Sequence, residues 1–341
     1  MKKIPLPIIF LILSLTVYSQ DPAPEDLLKE GIALHDKGDY AGAIKKYDEI
    51  LSHNDGFYMA YNEKSFSLYM AGKYDECVEL SKKTLKKFPD SAKNRNIYVN
   101  YGSALDALGR SDDAIHIYKE GMRKYPDFYL LPFNKGVTEY RLKKYDDAIE
   151  DFQRSATLNP SHASSHQFLA YAIYPTNRIA AAMALSAFLV LEPSGQRAEK
   201  NLKILLSILK GNAEKKDEKN ISVSLSMADL NTNEKTPDNF STIQMMITLS
   251  GATDLTKDSV SEMKKLEDKL EMLAMAAPAK KGFFSNYYVT WLAGLKENHF
   301  LETAAYLISA AAGDADDQKW LTANKDKVEA LTQWTEQHLG K

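Results

Sequence analysis

Between Pro24 and Ser194 the apolar positions fall in short runs spaced three and four apart, the pattern of amphipathic helices. The runs come in pairs, and the pairs repeat. Leu34…Gly38-Asp39-Tyr40…Ala43-Ile44…Tyr47 returns 34 residues later as Leu68…Gly72-Lys73-Tyr74…Cys77-Val78. Leu108-Gly109-Arg110-Ser111-Asp112-Asp113-Ala114-Ile115 returns at the same interval as Leu142-Lys143-Lys144-Tyr145-Asp146-Asp147-Ala148-Ile149. Four helix pairs are predicted, at about 24–57, 58–91, 95–128 and 129–162. From Gly72 to Gly109 the step is 37, so three extra residues separate the second and third pairs. The polar turn cluster Pro89-Asp90-Ser91-Ala92-Lys93-Asn94 is the natural place for them.

Each recurring slot has a physical reason. Gly31, Gly102 and Gly136, with Ser65, lie in the first helix, where a tiny side chain lets the second approach. Ala43, Cys77, Ala114 and Ala148 do the same from the second helix. Tyr47, Tyr118 and Phe152 are expected to fill the gap toward the next repeat, where the second pair offers only Ser81. Gly38, Gly72 and Gly109 mark the turn between helices. Pro89, Pro126 and Pro160 stop the second helix, and Asp55 holds that slot in the first pair.

A degenerate fifth pair follows at about 163–194, with Pro175-Thr176-Asn177 in place of the Gly turn and an Ala-rich second helix closed by Pro193. Arg197 to Leu209 forms a further amphipathic helix, expected to seal the end of the stack. Residues 211–220 are charged or small and suggest an exposed linker. Beyond it the repeat vanishes. Asp238-Asn239-Phe240 is expected to cap a helix running to about Leu249, and Val260, Met263, Leu266, Leu270 and Leu273 space another. After a break at Ala277–Gly282, the stretch Phe283–Leu295 is the most aromatic in the chain, best explained as buried core and alternatively as an exposed patch. Ala304–Ile308 and Val328…Leu331…Trp334 suggest two more helices. The expected fold is thus all-α: a solenoid of five helix pairs plus a capping helix over 24–210, a linker at 211–220, and a mostly helical domain over 221–341.

The N-terminus adds a destination. Met1-Lys2-Lys3, a short apolar core at Ile8–Leu13 and small Ser19 suggest a secretory signal peptide over 1–20, cleaved after Ser19 or Gln20, with an uncleaved N-terminal anchor as the alternative. The core is too short to span a bilayer, so an exported, periplasmic or secreted protein with no stable membrane span is expected. Hydrophobic residues at 44% and charged residues at 26% describe a folded chain and exclude a disordered one. Removing 1–20 leaves 41 basic against 46 acidic side chains, which argues against a nucleic-acid partner. Cys77 is the one cysteine, so no internal disulfide can form, and its slot is otherwise held by alanine.

No motif carries catalytic chemistry: a Gly-rich phosphate loop, a Gly-x-Ser-x-Gly elbow and a His-Glu-x-x-His zinc motif are all lacking. His162 and His166 have the spacing of metal ligands on a helix but no third partner nearby in sequence. Asn220-Ile221-Ser222 and Asn239-Phe240-Ser241 match the glycosylation sequon. Neither a cofactor nor a metal is expected. The candidate site is instead the concave face of the first helices, at roughly the second, fifth, sixth, ninth and twelfth slots of each repeat. The candidates are Asn62, Phe66 and Tyr69; Asn96, Asn100 and Ser103; Phe133, Asn134 and Tyr140; and His166 and Gln167. Amides that donate and accept, interleaved with aromatics, suit a polypeptide segment.

Over 24–194 the sequence resembles the tetratricopeptide repeat family, closely in four units and loosely in the fifth. The resemblance implies protein–protein binding and scaffolding. One subfamily grips the C-terminal carboxylate of chaperones through Lys and Arg. The matching slots here hold Asn62, Phe66, Asn100, Leu130 and Asn134, so that role is not implied. With its N-terminal segment, the chain loosely resembles exported repeat proteins of Gram-negative bacteria. The leading expectation is a non-enzymatic binding scaffold in the bacterial envelope. The alternatives are an envelope-processing enzyme, or its accessory subunit, with activity in the C-terminal third, and a structural subunit of an envelope assembly.

Overall fold

The computed structural model describes residues 22–216, 220–224, 236–256 and 260–341. The signal peptide expected at 1–20 lies outside these residues. Seventeen α-helices are present among them, with one two-stranded hairpin.

Ten helices form five consecutive pairs: α1 (Pro24–Asp36) and α2 (Tyr40–His53), α3 (Tyr58–Met70) and α4 (Tyr74–Lys87), α5 (Arg95–Ala107) and α6 (Ser111–Lys124), α7 (Leu130–Arg141) and α8 (Tyr145–Leu158), α9 (Ala163–Ile173) and α10 (Arg178–Leu191). Gly31, Gly102 and Gly136 explain how the partners approach. A Cβ at Gly31 or Gly102 would lie 2.4 Å from the ring of Tyr47 or Tyr118, and at Gly136 it would lie 2.8 Å from Phe152. The three rings therefore close down on the glycine of their own repeat, and the expectation that they point toward the next repeat is corrected to that extent. In the second pair, which has Ser81 and no ring, Ser65 replaces the glycine, and the Cys77 thiol donates to the Ser65 carbonyl at 3.2 Å. Burial pushes the Cys77 thiol up to about 12, so it is an inert packing residue. The turns between partners use φ of 73–80° at Gly38, Gly72 and Gly109. In the fourth pair Lys143 takes that conformation, at φ 60°.

The chain divides into two compact units, one ending at Lys87 and one starting at Phe88. The division falls at the three-residue slip of the period. In the first unit α1 packs on α2, α2 on α3 and α3 on α4. Its core holds Leu27, Tyr47, Ile50 and Ala60.

The second unit holds everything else, and here the expected boundary at 211–220 is overturned. Helix α11 (Gln196–Lys210) packs on α10 and is followed directly by the antiparallel strands β1 (Ala213–Lys215) and β2 (Ile221–Val223). Both strands lie on α12 (Ser241–Asp254), with Ala213 buried. Helix α13 (Glu262–Ala274), a π-helical turn at Ser285–Val289 running into α14 (Thr290–Glu297), and α15 (Leu301–Ser309), α16 (Ala315–Ala323) and α17 (Lys325–His338) complete the unit. One hydrophobic core runs from Ala148 to Leu339 without a break. Its axis is α10, in which every residue from Ile179 to Val190 is buried. A helix apolar on all sides needs cover on all sides. It receives it from α9, α11, α12, α15 and the π-helical turn. Helix α11 alone therefore does not seal the stack.

Phe284, Tyr287, Tyr288 and Trp291 are buried, so the aromatic stretch is core. In the Asp238-Asn239-Phe240 stretch expected to cap α12, the residues divide the work. Asn239 Oδ1 accepts from the Ser241 amide at 3.0 Å, while the buried Asp238 carboxylate turns to the start of the π-helical segment. There it accepts from the amides of Gly282, Phe284 and Ser285 at 2.9–3.0 Å and from the Ser285 hydroxyl. A carboxylate at a helix N-terminus satisfies donors that have no intrahelical partner. Asn177, at the turn of the fifth pair, donates to the Asp238 carbonyl at 3.0 Å and ties the two parts together.

Candidate functional site

The first helices of successive pairs also touch one another, α1 with α3, and α5 with α7 and α7 with α9, so they form a face within each unit. In the first unit Phe66 is 39% exposed and stacks on His35 at 4.6 Å. Tyr69 is half-buried beside Tyr74, at 5.7 Å. Asn62 is buried instead of presented, and its amide donates to Glu63 at 2.8 Å.

In the second unit the structure brings part of the predicted set together. Asn96, Ser103, Phe133, Asn134 and Tyr140 are half-buried on α5 and α7. Ser103 Oγ lies 3.0 Å from the Tyr118 hydroxyl, and Asn134 donates back to the Leu130 carbonyl at 2.8 Å. Asn100 and Gln167 are buried, with 7% and 5% exposure, so neither offers its amide freely to a partner. Gln167 donates to the Tyr171 hydroxyl at 3.0 Å and orients that ring.

His166 does not belong to this face. It is wholly buried, with Nδ1 2.7 Å from the Tyr288 hydroxyl and Nε2 2.8 Å from the Pro160 carbonyl. Both ring nitrogens are thereby committed, and burial pushes its pKa down to about 4. The neutral ring can donate to Pro160 and accept from Tyr288. His166 is thus a bond between the fifth pair and the aromatic core, 122 residues apart in sequence. Its expected place in the groove is corrected: it is the fourth residue of its repeat, outside the second, fifth, sixth, ninth and twelfth slots, and faces the core. His162, also held down at about 4 by burial with Arg197 nearby, bonds Ser165 at 2.7 Å. These two histidines make no metal pair.

Reasoning from sequence missed Val137, Phe168 and Tyr171, which are half-buried on the same face. Phe168 and Tyr171 hold the sixth and ninth slots of the fifth repeat, the slots already chosen in the third, so the rule itself could have found them. Phe168 is the hub of an aromatic cluster. It meets Phe133 edge-on at 5.7 Å, Tyr140 at 6.3 Å and Tyr171 at 6.0 Å, and Tyr140 in turn meets Tyr145 at 5.5 Å. Beneath this face is a buried charge triad. Lys135 Nζ lies 2.5 Å from both Glu139 and Asp151. Desolvation raises Asp151 to about 7 despite the lysine, because one cation cannot compensate two buried carboxylates. Beside the aromatic cluster Arg141 bonds the Asp106 side chain and the Ser111 hydroxyl, closing the α5–α7 edge.

Among the described residues no group of three His, Cys, Asp or Glu side chains could hold a metal ion, and no helix is long and apolar enough to cross a membrane. The arrangement offers aromatic area, hydroxyls and amides, the chemistry of recognition.

The family model of the tetratricopeptide repeat matches residues 99–163 and 133–187. Among solved structures, the chain is similar to TTC0263, a TPR protein of Thermus thermophilus, at 19% identity over 54% of this chain and 100% of that one, with a TM-score of 0.47. It is also similar to PilF of Pseudomonas aeruginosa, at 20% identity over 53% and 80% of the two chains, with a TM-score of 0.46. A third similar structure is YrrB, described as a TPR protein with an unusual peptide-binding site, at 17% identity over 54% and 91%, with a TM-score of 0.38. No curated protein sequence matches. The family match spans the third to fifth pairs, and the five helix pairs with their small-residue crossings have the helix-pair architecture of tetratricopeptide repeats.

Proposed function

We propose that the chain is a non-enzymatic binding scaffold that holds a polypeptide segment of another protein against α5, α7 and α9, and that it works in the bacterial envelope after export. The half-exposed aromatic cluster of Phe133, Tyr140, Phe168 and Tyr171 carries the reading. Aromatic rings held by neighbours lose little entropy on binding and anchor interfaces out of proportion to their number. Half-buried Asn96, Ser103 and Asn134 beside them supply polar contacts for a peptide backbone. The export half of the reading rests on the sequence of residues 1–20.

A photocrosslinking residue placed at Tyr140 tests the site in cells, with the same residue at exposed Lys119 as control. A discrete partner is expected at position 140 only, and Phe168→Ala should weaken its binding by about tenfold or more. Equal crosslinking at both positions would overturn the proposal. N-terminal sequencing of the fractionated protein tests export, with a start at residue 20 or 21 expected.

A further inference from the structure

Helix α12 is apolar on two opposite sides. Ile243 and Ile247 enter the core, while Met245, Met246 and Leu249 are 41%, 38% and 54% exposed. No charged side chain occurs in it before Asp254. Met275, 47% exposed at the end of α13, continues the surface, because it and Met246 line one cleft of about 460 Å³. Exposed apolar side chains gathered on one face need an explanation that scattered ones do not.

A pair of lysines stands at the N-terminal end of this face. The Lys280 carbonyl accepts from the Asp238 amide just before the helix starts, with Lys281 next to it, and the adjoining Ala279 lines the same cleft as Met246 and Met275. Both lysines are exposed. The nearby acids are engaged, Asp254 with Lys269 at 2.8 Å and Glu262 with Lys265 at 2.6 Å, while Glu214 on β1 is exposed.

We infer that this face docks on an anionic lipid surface, with Met245, Met246, Leu249 and Met275 entering the acyl boundary and the lysines meeting the headgroups. Flexible, unbranched methionine suits a disordered apolar phase, and long lysine stems let their charges reach the headgroup layer. A second copy of the chain fits poorly, since a two-fold contact would bring the same lysines together.

The test uses the full chain with Met246→Cys, labelled with an environment-sensitive fluorophore. Cys77, buried and pushed up to about 12, stays unlabelled. Phosphatidylglycerol-rich vesicles should shift the emission to the blue, and phosphatidylcholine vesicles should not. Each lysine charge lost is worth about fivefold in affinity, so Lys280→Glu with Lys281→Glu should weaken the response by about 25-fold or more. Both are surface substitutions, and unchanged helical circular dichroism checks the fold. The inference is overturned by no shift on anionic vesicles, by an equal shift on neutral ones, or by indifference to the lysine reversal. A shift given only by an acidic amphipathic peptide would also overturn it and assign the face to a protein partner.

Discussion

Lys143 holds a backbone position that the turns of the first three pairs give to glycine. Its φ of 60° places a Cβ where L-residues are strained, and its side chain is exposed, so no side-chain contact among the described residues repays the strain, while the turn's backbone bonds are ones glycine would also make. Lys143→Gly should therefore raise stability by about 0.5–1 kcal/mol, the relief exceeding glycine's added freedom in the unfolded chain. Thermal denaturation measures it, and an unchanged or lowered midpoint would contradict the argument. Asp151 gives a second prediction, set by sign. Burial raises its pKa from 3.8 to about 7, so between those values the folded state holds a proton that the unfolded state has released. Its contribution to stability must fall as pH rises through that window. His162 and His166, lowered to about 4, act in the opposite sense, so the raw pH curve mixes both. The difference between wild type and Asp151→Asn isolates the carboxyl. Relative to the variant, wild type should lose stability from pH 4 to 7, by about 1.4 kcal/mol per pH unit at the steepest, and stay level above. A flat difference curve would show that Lys135 already holds Asp151 ionised.

Among the helix pairs, the close crossing depends on a reciprocal choice of sizes. Where the second helix carries Tyr118 the first has Gly102, and where it carries Ser81 the first has Ser65. Gly102→Ala puts a methyl 2.4 Å from the Tyr118 ring and should cost about 1–3 kcal/mol. Tyr118→Ser costs stability by itself through the cavity it leaves. In the double variant the alanine penalty should shrink, because its obstacle is gone, and a double-mutant cycle by chemical denaturation reads that coupling. Additive effects would mean that the backbone had already yielded. This reciprocity explains why the repeats were legible: a glycine or serine facing a ring or none is a local relation, written twice within one period. The groove residues were less so. Their slots follow from the same period, yet exposure depends on what packs over each slot, and a one-residue offset sufficed to misplace His166 beneath Tyr288. Asp238 shows the limit, since its carboxylate serves amides more than 40 residues away, which no spacing reveals.

At the scale of the whole molecule, composition misled. Charged residues after Gly211 look like a tether, whereas the continuous core places the C-terminal helices over α10. The sequence of α10 did carry the clue, in Ile179 to Val190 apolar on every side, because a terminal repeat exposed to water needs a polar outer face. The two arrangements predict different behaviour on truncation after Lys210. A tethered domain could be removed with the repeats left as a soluble monomer. In the observed fold, removal strips the cover supplied by α12, α15 and the π-helical turn, and each large apolar side chain uncovered forfeits about 1.5–3 kcal/mol. The shortened chain should therefore associate or bind a hydrophobic dye, with its thermal midpoint lowered, while the full chain stays monodisperse. Asp238→Ala should move the full chain in the same direction to a smaller extent, since it frees the amides at 282–285 without removing the helices. Size-exclusion chromatography with dye binding separates the cases: a shortened chain that elutes as a compact monomer with unchanged helicity would restore the linker and detach the C-terminal third from the repeats.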